Sequence, residues 1–458
     1  MAQVNKDSIA FDNCTGTGGF LISAMKRMIE DAKGDTSKIA EIKSTQLIGV
    51  EYQAHIFALA VSNMYIHQDG KTNIINGSCF DADVIETVKK SNPNVGFLNP
   101  PYKSDKKVDT DELEFILNNL ECLSTNSTCI AIIPVNCALE QKGKILELKE
   151  RLLKNHTLEA VLTMPDELFI NSDVGVISCI MILTAHRPHN YSKRTYFGYY
   201  KNDGFIKRKY KGRIDEFGTW EKVKEKWVNN FLSRNEEPGF SVNKIVSAED
   251  EWCAEAFMET DYSTINNDVF ENEILKYSTY LLFNKKKANI SNEKTFTNNI
   301  IIDSFEWKFF NLGDLFNIEK GRDSSGGNEK GNIPLISATR DNNGINSFIL
   351  EGNKLFPINT ITVPSNGAST GEAFYQPYEY FATGDVNILH AKFELNVYIA
   401  IFFITVIRME KYRFNYGRKW GKARMELSTI KLPAINGKPD FKFMENFVKS
   451  LPYSKSIE

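Results

Sequence analysis

No Cys-x-x-Cys pair occurs in the 458 residues, and none of the seven cysteines lies beyond residue 253. Cys14, Cys79, Cys122, Cys129, Cys137, Cys179 and Cys253 fall mostly inside apolar runs. That argues against a metal site and marks them as reduced core thiols of a cytosolic protein, so the expected localisation is cytoplasmic. Long hydrophobic runs are missing as well. Val176–Ala185 and Val397–Ile407 are the longest, and both are too short to cross a bilayer. The opening residues, Met1 to Asp7, have no hydrophobic core of a secretory leader. An excess of positive charge is also lacking: 55 Lys and Arg against 58 Asp and Glu give a net charge of −3. Any surface for nucleic acid must therefore be local.

What is present is the composition of a folded protein, 42% apolar and 25% charged, with length for two or three domains. Up to residue 185, apolar runs with strand character alternate with helical patterns. The strands read Ile9–Asp12, Leu47–Glu51, Asn73–Asn76, Val95–Leu98, Cys129–Pro134, Leu158–Met164 and Val176–Leu183. The helices read Phe20–Ala32, Gln53–His67, Asp111–Leu123 and Lys142–Lys154. This rhythm predicts an α/β fold with a doubly wound parallel sheet.

Three stretches on that frame carry chemistry. The first strand runs into Asp12-Asn13-Cys14-Thr15-Gly16-Thr17-Gly18-Gly19-Phe20. Its glycines let backbone pass close to a ligand, with the amides of a helix N-terminus behind. The second strand ends at Glu51, an acid placed for ribose hydroxyls. With Asp12 beside it, a cationic or zwitterionic nucleoside fits better than a pyrophosphate. The fourth strand stops at Asn99-Pro100-Pro101-Tyr102. Two prolines stiffen this loop, and it points into the ligand crevice at the sheet's C-terminal edge. The Asn99 side-chain carbonyl and the Pro100 carbonyl suit the two hydrogens of a planar amino group, with the Tyr102 ring free to stack on its base.

In this order and on this strand pattern, Asp12-x-x-x-Gly16-x-Gly18-Gly19-Phe20, Glu51 and Asn99-Pro100-Pro101-Tyr102 resemble the amino-DNA methyltransferases, above all the modification subunits of Type I restriction–modification systems. Ile130-Ala131-Ile132-Ile133-Pro134, Met164-Pro165-Asp166-Glu167-Leu168-Phe169 and the Gly175–Leu183 strand agree, so the likeness covers residues 8 to about 215. The resemblance implies a Rossmann-like sheet, S-adenosylmethionine as cofactor and methyl transfer to adenine N6. It assigns cofactor contacts to Asp12, Thr15, Gly16, Gly18, Gly19, Phe20, Glu51, Ser78, Cys79, Phe80 and Asn99. It assigns the transfer step to Asn99, Pro100, Pro101 and Tyr102, with Phe169 a candidate second wall for the flipped base or a core residue. Two departures stand out. Ser78 occupies the place of the family's adenine-contacting Asp, with Asp81 close by as a substitute. Only residues 1–11 precede Asp12, where the family carries a helical domain and a further cofactor-contacting segment. The expectation is a chain whose front half is missing or supplied by a partner, binding its cofactor weakly alone.

Further on, basic residues outnumber acidic ones from Lys193 to Lys226; Lys207, Arg208 and Lys209, near Phe205 and Tyr210, are candidate phosphate contacts. Glu249–Asn272 reads as an acidic helix, and the polar stretch Lys285–Asn299 as a linker. The domains therefore read as 1–190 catalytic, 191–303 connector and 304–458 recognition. From Phe305, short strands and turn glycines with a helix at Val397–Met409 predict a β-rich α+β module. Its motif order, with the ending Leu427-Ser428-Thr429-Ile430-Lys431-Leu432-Pro433, resembles the target-recognition domains of Type I specificity subunits over roughly 305 to 435. Within it, Arg408, Lys411, Arg413, Arg418, Lys419, Lys422, Arg424 and Lys431 oppose only Glu410 and Glu426, with Tyr412, Phe414, Tyr416 and Trp420 between them. Arg413, Arg418, Lys419, Lys422 and Arg424 are the chief candidates for duplex DNA, and Arg322 and Arg340 lesser ones. One recognition domain reads one half-site, so a bipartite target requires a second copy, in a homo-oligomer or otherwise.

Two other readings stay open on these residues: a methyltransferase for protein glutamine amides, and a DNA-binding remnant without activity of its own. No metal is expected, and the isolated Glu147-x-Lys149 is a chance-level nuclease signal.

Overall fold

A computed structural model describes residues 1–458 apart from 68–72, 103–109, 167, 170–175, 209–210, 285–288, 299, 304–305 and 416. The expectations for Glu167, Gly175, Lys209, Tyr210, Phe305 and Tyr416, and for the ends of the 285–299 linker, lie outside the described residues. The chain forms two units, Met1–Glu259 and Thr260–Glu458.

The strands of the first unit are β1 (Ala10–Asp12), β2 (Leu47–Glu51), β3 (Asn73–Asn76), β4 (Val95–Leu98), β5 (Thr128–Pro134), β6 (Thr157–Thr163), β7 (Ser178–Thr184), β8 (Thr195–Tyr199), β9 (Ile206–Arg208), β10 (Gly212–Ile214) and β11 (Ser241–Lys244). Its helices are α1 (Gly19–Asp31), α2 (Thr36–Thr45), α3 (Ala54–Ile66), α4 (Ala82–Lys90), α5 (Glu112–Cys122), α6 (Asn136–Leu139), α7 (Gly143–Asn155), α8 (Trp220–Ser233) and α9 (Ala254–Phe257). Nine strands make one sheet in the order β11-β8-β6-β7-β5-β4-β1-β2-β3. β1 pairs in parallel with β2 on one side and β4 on the other, so the connections reverse direction there. Ligands bind at such a switch point, outside the carboxyl ends of the strands. β1 and β4 are buried along their whole length.

The expected doubly wound parallel sheet is present, with two antiparallel strands that the sequence did not announce. β7 runs antiparallel between β5 and β6, and β11 antiparallel on β8. A strand buried on both faces is a plain apolar run in sequence, and such a run does not reveal its direction. Residues 191–303 are also not one connector. β8 and β11 extend the nine-stranded sheet of the first unit, while Phe270, Ile274 and Leu281 of α10 (Asn267–Phe283) sit in the second unit's core. The acidic helix expected at Glu249–Asn272 is broken into α9, a short 3-10 turn at Tyr262–Thr264 and the start of α10. Part of the polar linker is held down, with Thr295 N–H donating to Ser454 Oγ at 2.9 Å and Phe296 N–H to the Lys449 carbonyl at 2.8 Å.

In the second unit, β12 (Lys308–Asn311), β13 (Phe316–Lys320), β14 (Lys330–Ile336), β15 (Ile345–Ile349), β16 (Thr360–Pro364), β17 (Phe374–Gln376), β18 (Phe381–Ala382), β19 (Val386–Ala391) and β20 (Thr429–Leu432) form small sheets. One is four-stranded in the order β13-β19-β16-β17, and another three-stranded in the order β15-β14-β18. With them stand α11 (Leu312–Leu315), α12 (Val397–Met409), α13 (Lys422–Leu427) and α14 (Phe441–Lys449). α12 is apolar all round and buried from Tyr398 to Ile407, as a central core helix must be. Asn396 caps it by accepting the N–H groups of Tyr398 and Ile399. At 13 residues it is far short of a bilayer, and among the described residues no helix is long and apolar enough to cross a membrane.

Candidate active site

The loops leaving β1, β2, β3 and β4 meet in a cleft of about 410 Å³, and its walls bring together Gly16, Glu51, Ser78, Cys79, Phe80, Asn99 and Pro101. These residues are far apart in sequence; the parallel strands deliver them to one edge. The turn after β1 is set by positive φ at Gly16 (53°) and Gly18 (86°), the latter capping α1. A side chain at Gly16 would meet no other atom within 4 Å, so its space is open for a ligand. Glu51 locks the turn: Oε2 accepts the Gly16 N–H at 2.9 Å and Oε1 the Gln53 N–H at 2.8 Å. Each oxygen keeps a second lone pair for a hydroxyl donor.

Asp12 and Thr15 lie beneath this wall. Thr15 Oγ1 donates to the Asp12 carbonyl at 2.9 Å. Asp12 Oδ1 accepts the Cys14 N–H at 3.0 Å, whereas Oδ2 is buried without a partner among the described residues. Burial, with a smaller push from the Glu51 charge, raises the Asp12 carboxyl from 3.8 to about 7. Between those values the folded chain keeps a proton that the unfolded chain releases. Asp12 therefore contributes stability in full below about pH 4, lost as pH rises through about 7. Asp12→Asn should flatten this slope, and urea melts at pH 5 and pH 8 would measure it. An unchanged pH dependence would refute the assignment.

Phe20 does not line the cleft; its ring stacks on Phe97 of β4 at 5.4 Å, fastening α1 to the strand that carries Asn99. Asn99 is exposed and Pro100 buried. Tyr102 is half-buried, its hydroxyl has no partner among the described residues, and burial raises its pKa. Phe169 meets Tyr102 edge-on at 87° and 5.7 Å. It braces that ring and does not stand parallel to it as a second wall. Ser78 lines the cleft while Asp81 does not, being the N-cap residue of α4.

Sequence reasoning missed several residues here. Asn13, Tyr52, Gln53, Ile56, Thr110 and Phe115 line the cleft too. Asn118 and Asn119, inside the otherwise amphipathic α5, are 6% and 0% exposed. Two adjacent asparagines in a helix interior were the available signal, because buried amides require partners.

The candidate DNA contacts fall into two groups. Lys207, Arg208, Arg322, Arg340, Lys419 and Lys422 are exposed, though Arg208 is held by Glu216 and Arg322 bonds Glu319 at 3.2 Å. Arg340 lines a groove of about 710 Å³ within the second unit. The others are withdrawn. Arg413 Nε bonds Glu410 Oε2 at 2.6 Å, and Arg424 reaches the Lys419 carbonyl. Arg418, 7% exposed, donates to the Arg413 carbonyl at 3.1 Å and lies over Phe414, which stacks on buried Trp420 at 4.2 Å. Distant acids also reach the cluster, since Glu273 and Glu372 pair with Arg408 and Glu372 with Lys411.

Residues 1–260 match the N-6 DNA Methylase family, and residues 305–457 match the Type I restriction modification DNA specificity domain. The chain is 33% identical over 283 residues to the Type II restriction enzyme and methyltransferase RM.BcgI of Heyndrickxia coagulans, covering 60% of this chain and 43% of that protein. It is 35% identical over 150 residues to the Type II restriction enzyme specificity subunit S.BcgI of the same organism, covering 32% of this chain and 44% of that one. The chain thus spans less than half the length of either relative. Among solved structures, the Type I restriction-modification methyltransferase subunit from Streptococcus thermophilus matches with a TM-score of 0.44 at 18% identity, over 57% of this chain and 56% of the other.

Proposed function

The chain belongs to the N-6 DNA methylase family, and from that membership we propose that it transfers a methyl group from S-adenosylmethionine to adenine N6 in duplex DNA, as part of a restriction–modification system. The observation that carries this reading is the single cleft shared by Gly16, Glu51, Ser78 and Asn99.

The residues fit the cofactor. The cleft has the volume of a small-molecule site. Among the described residues its lining holds no Lys or Arg, and two carboxyls, Glu51 on the wall and Asp12 beneath, favour a cationic nucleoside over a phosphate. Glu51 would take the ribose hydroxyls, Ser78 and Phe80 would flank the base, and the Gly16 turn would pass the amino-acid end. When bound, S-adenosylmethionine supplies a methyl group already activated by its sulfonium.

The chain's own part is placement. The target adenine is rotated out of the duplex, at about a few kcal/mol. Tyr102 offers a face for stacking, while Asn99 and the Pro100 carbonyl accept the two N6 hydrogens. That draws the nitrogen towards tetrahedral geometry and aims its lone pair at the methyl carbon. No general base is required, since the proton leaves afterwards to water.

Labelled methyl transfer, assayed on duplex DNA and on glutamine peptides with and without a partner chain, tests the proposal. Label in N6-methyladenine supports it; label on glutamine amide, or none in any mixture, overturns it.

We assign DNA contact in the second unit to the exposed cations. Lys419→Ala and Lys422→Ala should each weaken binding and shallow its salt dependence by about one phosphate's worth. Arg418→Ala should instead lower the melting temperature, through the loss of packing on Phe414. Salt titrations beside thermal melts separate the two effects, and equal behaviour of all three variants would contradict the grouping.

A further inference from the structure

Three buried amides join the loops of the cleft. Asn13, in the glycine turn, donates from Nδ2 to the Phe115 carbonyl at 2.9 Å and to Asn118 Oδ1 at 2.8 Å. Asn118 donates onward to the Cys79 carbonyl, in the loop after β3, at 2.7 Å. Asn119 donates to Asn13 Oδ1 at 3.1 Å and to the Phe97 carbonyl, two residues before Asn99, at 3.2 Å. Consecutive residues on a helix project about 100° apart, so this pair on α5 reaches in two directions. One arm goes to the Ser78–Phe80 wall and the other to the strand end that bears the Asn99 corner. β4 makes room for the second arm: a Cβ on Gly96 would lie 2.0 Å from Asn119 Oδ1.

We propose that Asn118 and Asn119 are positioning residues with divided roles, Asn118 setting the cofactor side of the cleft through the Cys79 carbonyl and Asn119 setting the target-base side through the Phe97 carbonyl. This rests on the methyl-transfer reading above. Asn13 keys both arms to the glycine turn, so the two sides are held at a fixed separation. Amides suit the task because each can donate and accept: Asn13 and Asn118 do both, while Asn119 donates twice and its Oδ1, set against Gly96, has no partner among the described residues. Neither residue touches the reacting atoms. Each acts through a backbone carbonyl whose displacement moves the next side chain along, and placement errors of an ångström are costly in a reaction that relies on proximity.

The experiment is steady-state methylation of duplex DNA by the full chain, with S-adenosylmethionine as the varied substrate, for the unsubstituted protein, Asn118→Ala, Asn119→Ala and Gly96→Ala. Thermal melts accompany each. Asn118→Ala should lose mainly through KM for S-adenosylmethionine, about tenfold, and Asn119→Ala mainly through kcat, about tenfold. Gly96→Ala displaces Asn119 without removing an amide and should follow Asn119→Ala. Parallel changes in both constants, an exchange of the two phenotypes, or failure of the alanine variants to fold would overturn the division. An unsubstituted chain that transfers nothing, alone or with the partner chain, would overturn the functional reading itself, and the division with it.

Discussion

Asn99→Ala should cost methyl transfer about 100- to 1,000-fold in kcat, the loss usual when one pre-placed polar partner of a transition state is removed. Asn99 is exposed at the end of a buried strand, so its side chain contributes little to the core and folding should survive. The aromatic amine has its lone pair delocalised into the ring. Two fixed acceptors, one per hydrogen, draw it out; with one of them gone, a mobile water takes the place and must be ordered in every turnover. Asn99→Asp keeps an acceptor at the same position and should lose less than the alanine variant. Single-turnover transfer of labelled methyl, with circular dichroism as the control for folding, decides the point. Transfer by Asn99→Ala at the unsubstituted rate would remove the Asn-Pro-Pro-Tyr corner from the mechanism.

Glu51→Gln is expected to weaken S-adenosylmethionine binding about 100-fold, although it changes a single atom. Both carboxylate oxygens are engaged by backbone donors, Gly16 N–H on one side and Gln53 N–H on the other. An amide has one oxygen. Whichever way it turns, its NH₂ faces a backbone N–H that then lacks an acceptor, at about 1–3 kcal/mol, and a hydroxyl acceptor for the ribose is lost as well. Glu51→Asp keeps the charge but shortens the reach, so it too should fail to close the turn. Titration calorimetry is the direct measurement. Undiminished affinity in Glu51→Gln would mean that the turn is held by its own glycines and that the ribose lies elsewhere.

The frame of the first unit was legible because it rests on local patterns. β2, β3 and β4 fall at the bounds read from the sequence, since each is a short run ended by a turn residue. The grouping of the candidate site's residues was legible for a related reason: parallel strands carry their following loops to the same edge, so loop residues could be grouped before any contact was known. What escaped depends on partners far along the chain. Ser241–Lys244 is polar enough to pass for connector until it is paired with β8. Thr36–Thr45 buries only Ile42, which leaves its helix without a readable stripe. Arg413 and Arg418 looked free because the aromatic and carbonyl surfaces that hold them become visible only in the folded unit. Asn118 and Asn119 lie in a helix whose ends were read to within a residue, but their meaning comes from Cys79 and Phe97, on two other strands' ends.

All seven thiols belong to the first unit, and six of them are buried; Cys14 alone is half-buried, on the wall of the cleft. A hydrogen bond to Cys79, burial and the nearby Asp12 and Glu51 carboxyls all hold the Cys14 thiol protonated. The native thiols should therefore take a maleimide slowly. The second unit contains no cysteine at all, so one introduced at Arg340 or Lys419 would be the sole thiol there. A dye placed there could then follow DNA engagement with little background from the first unit.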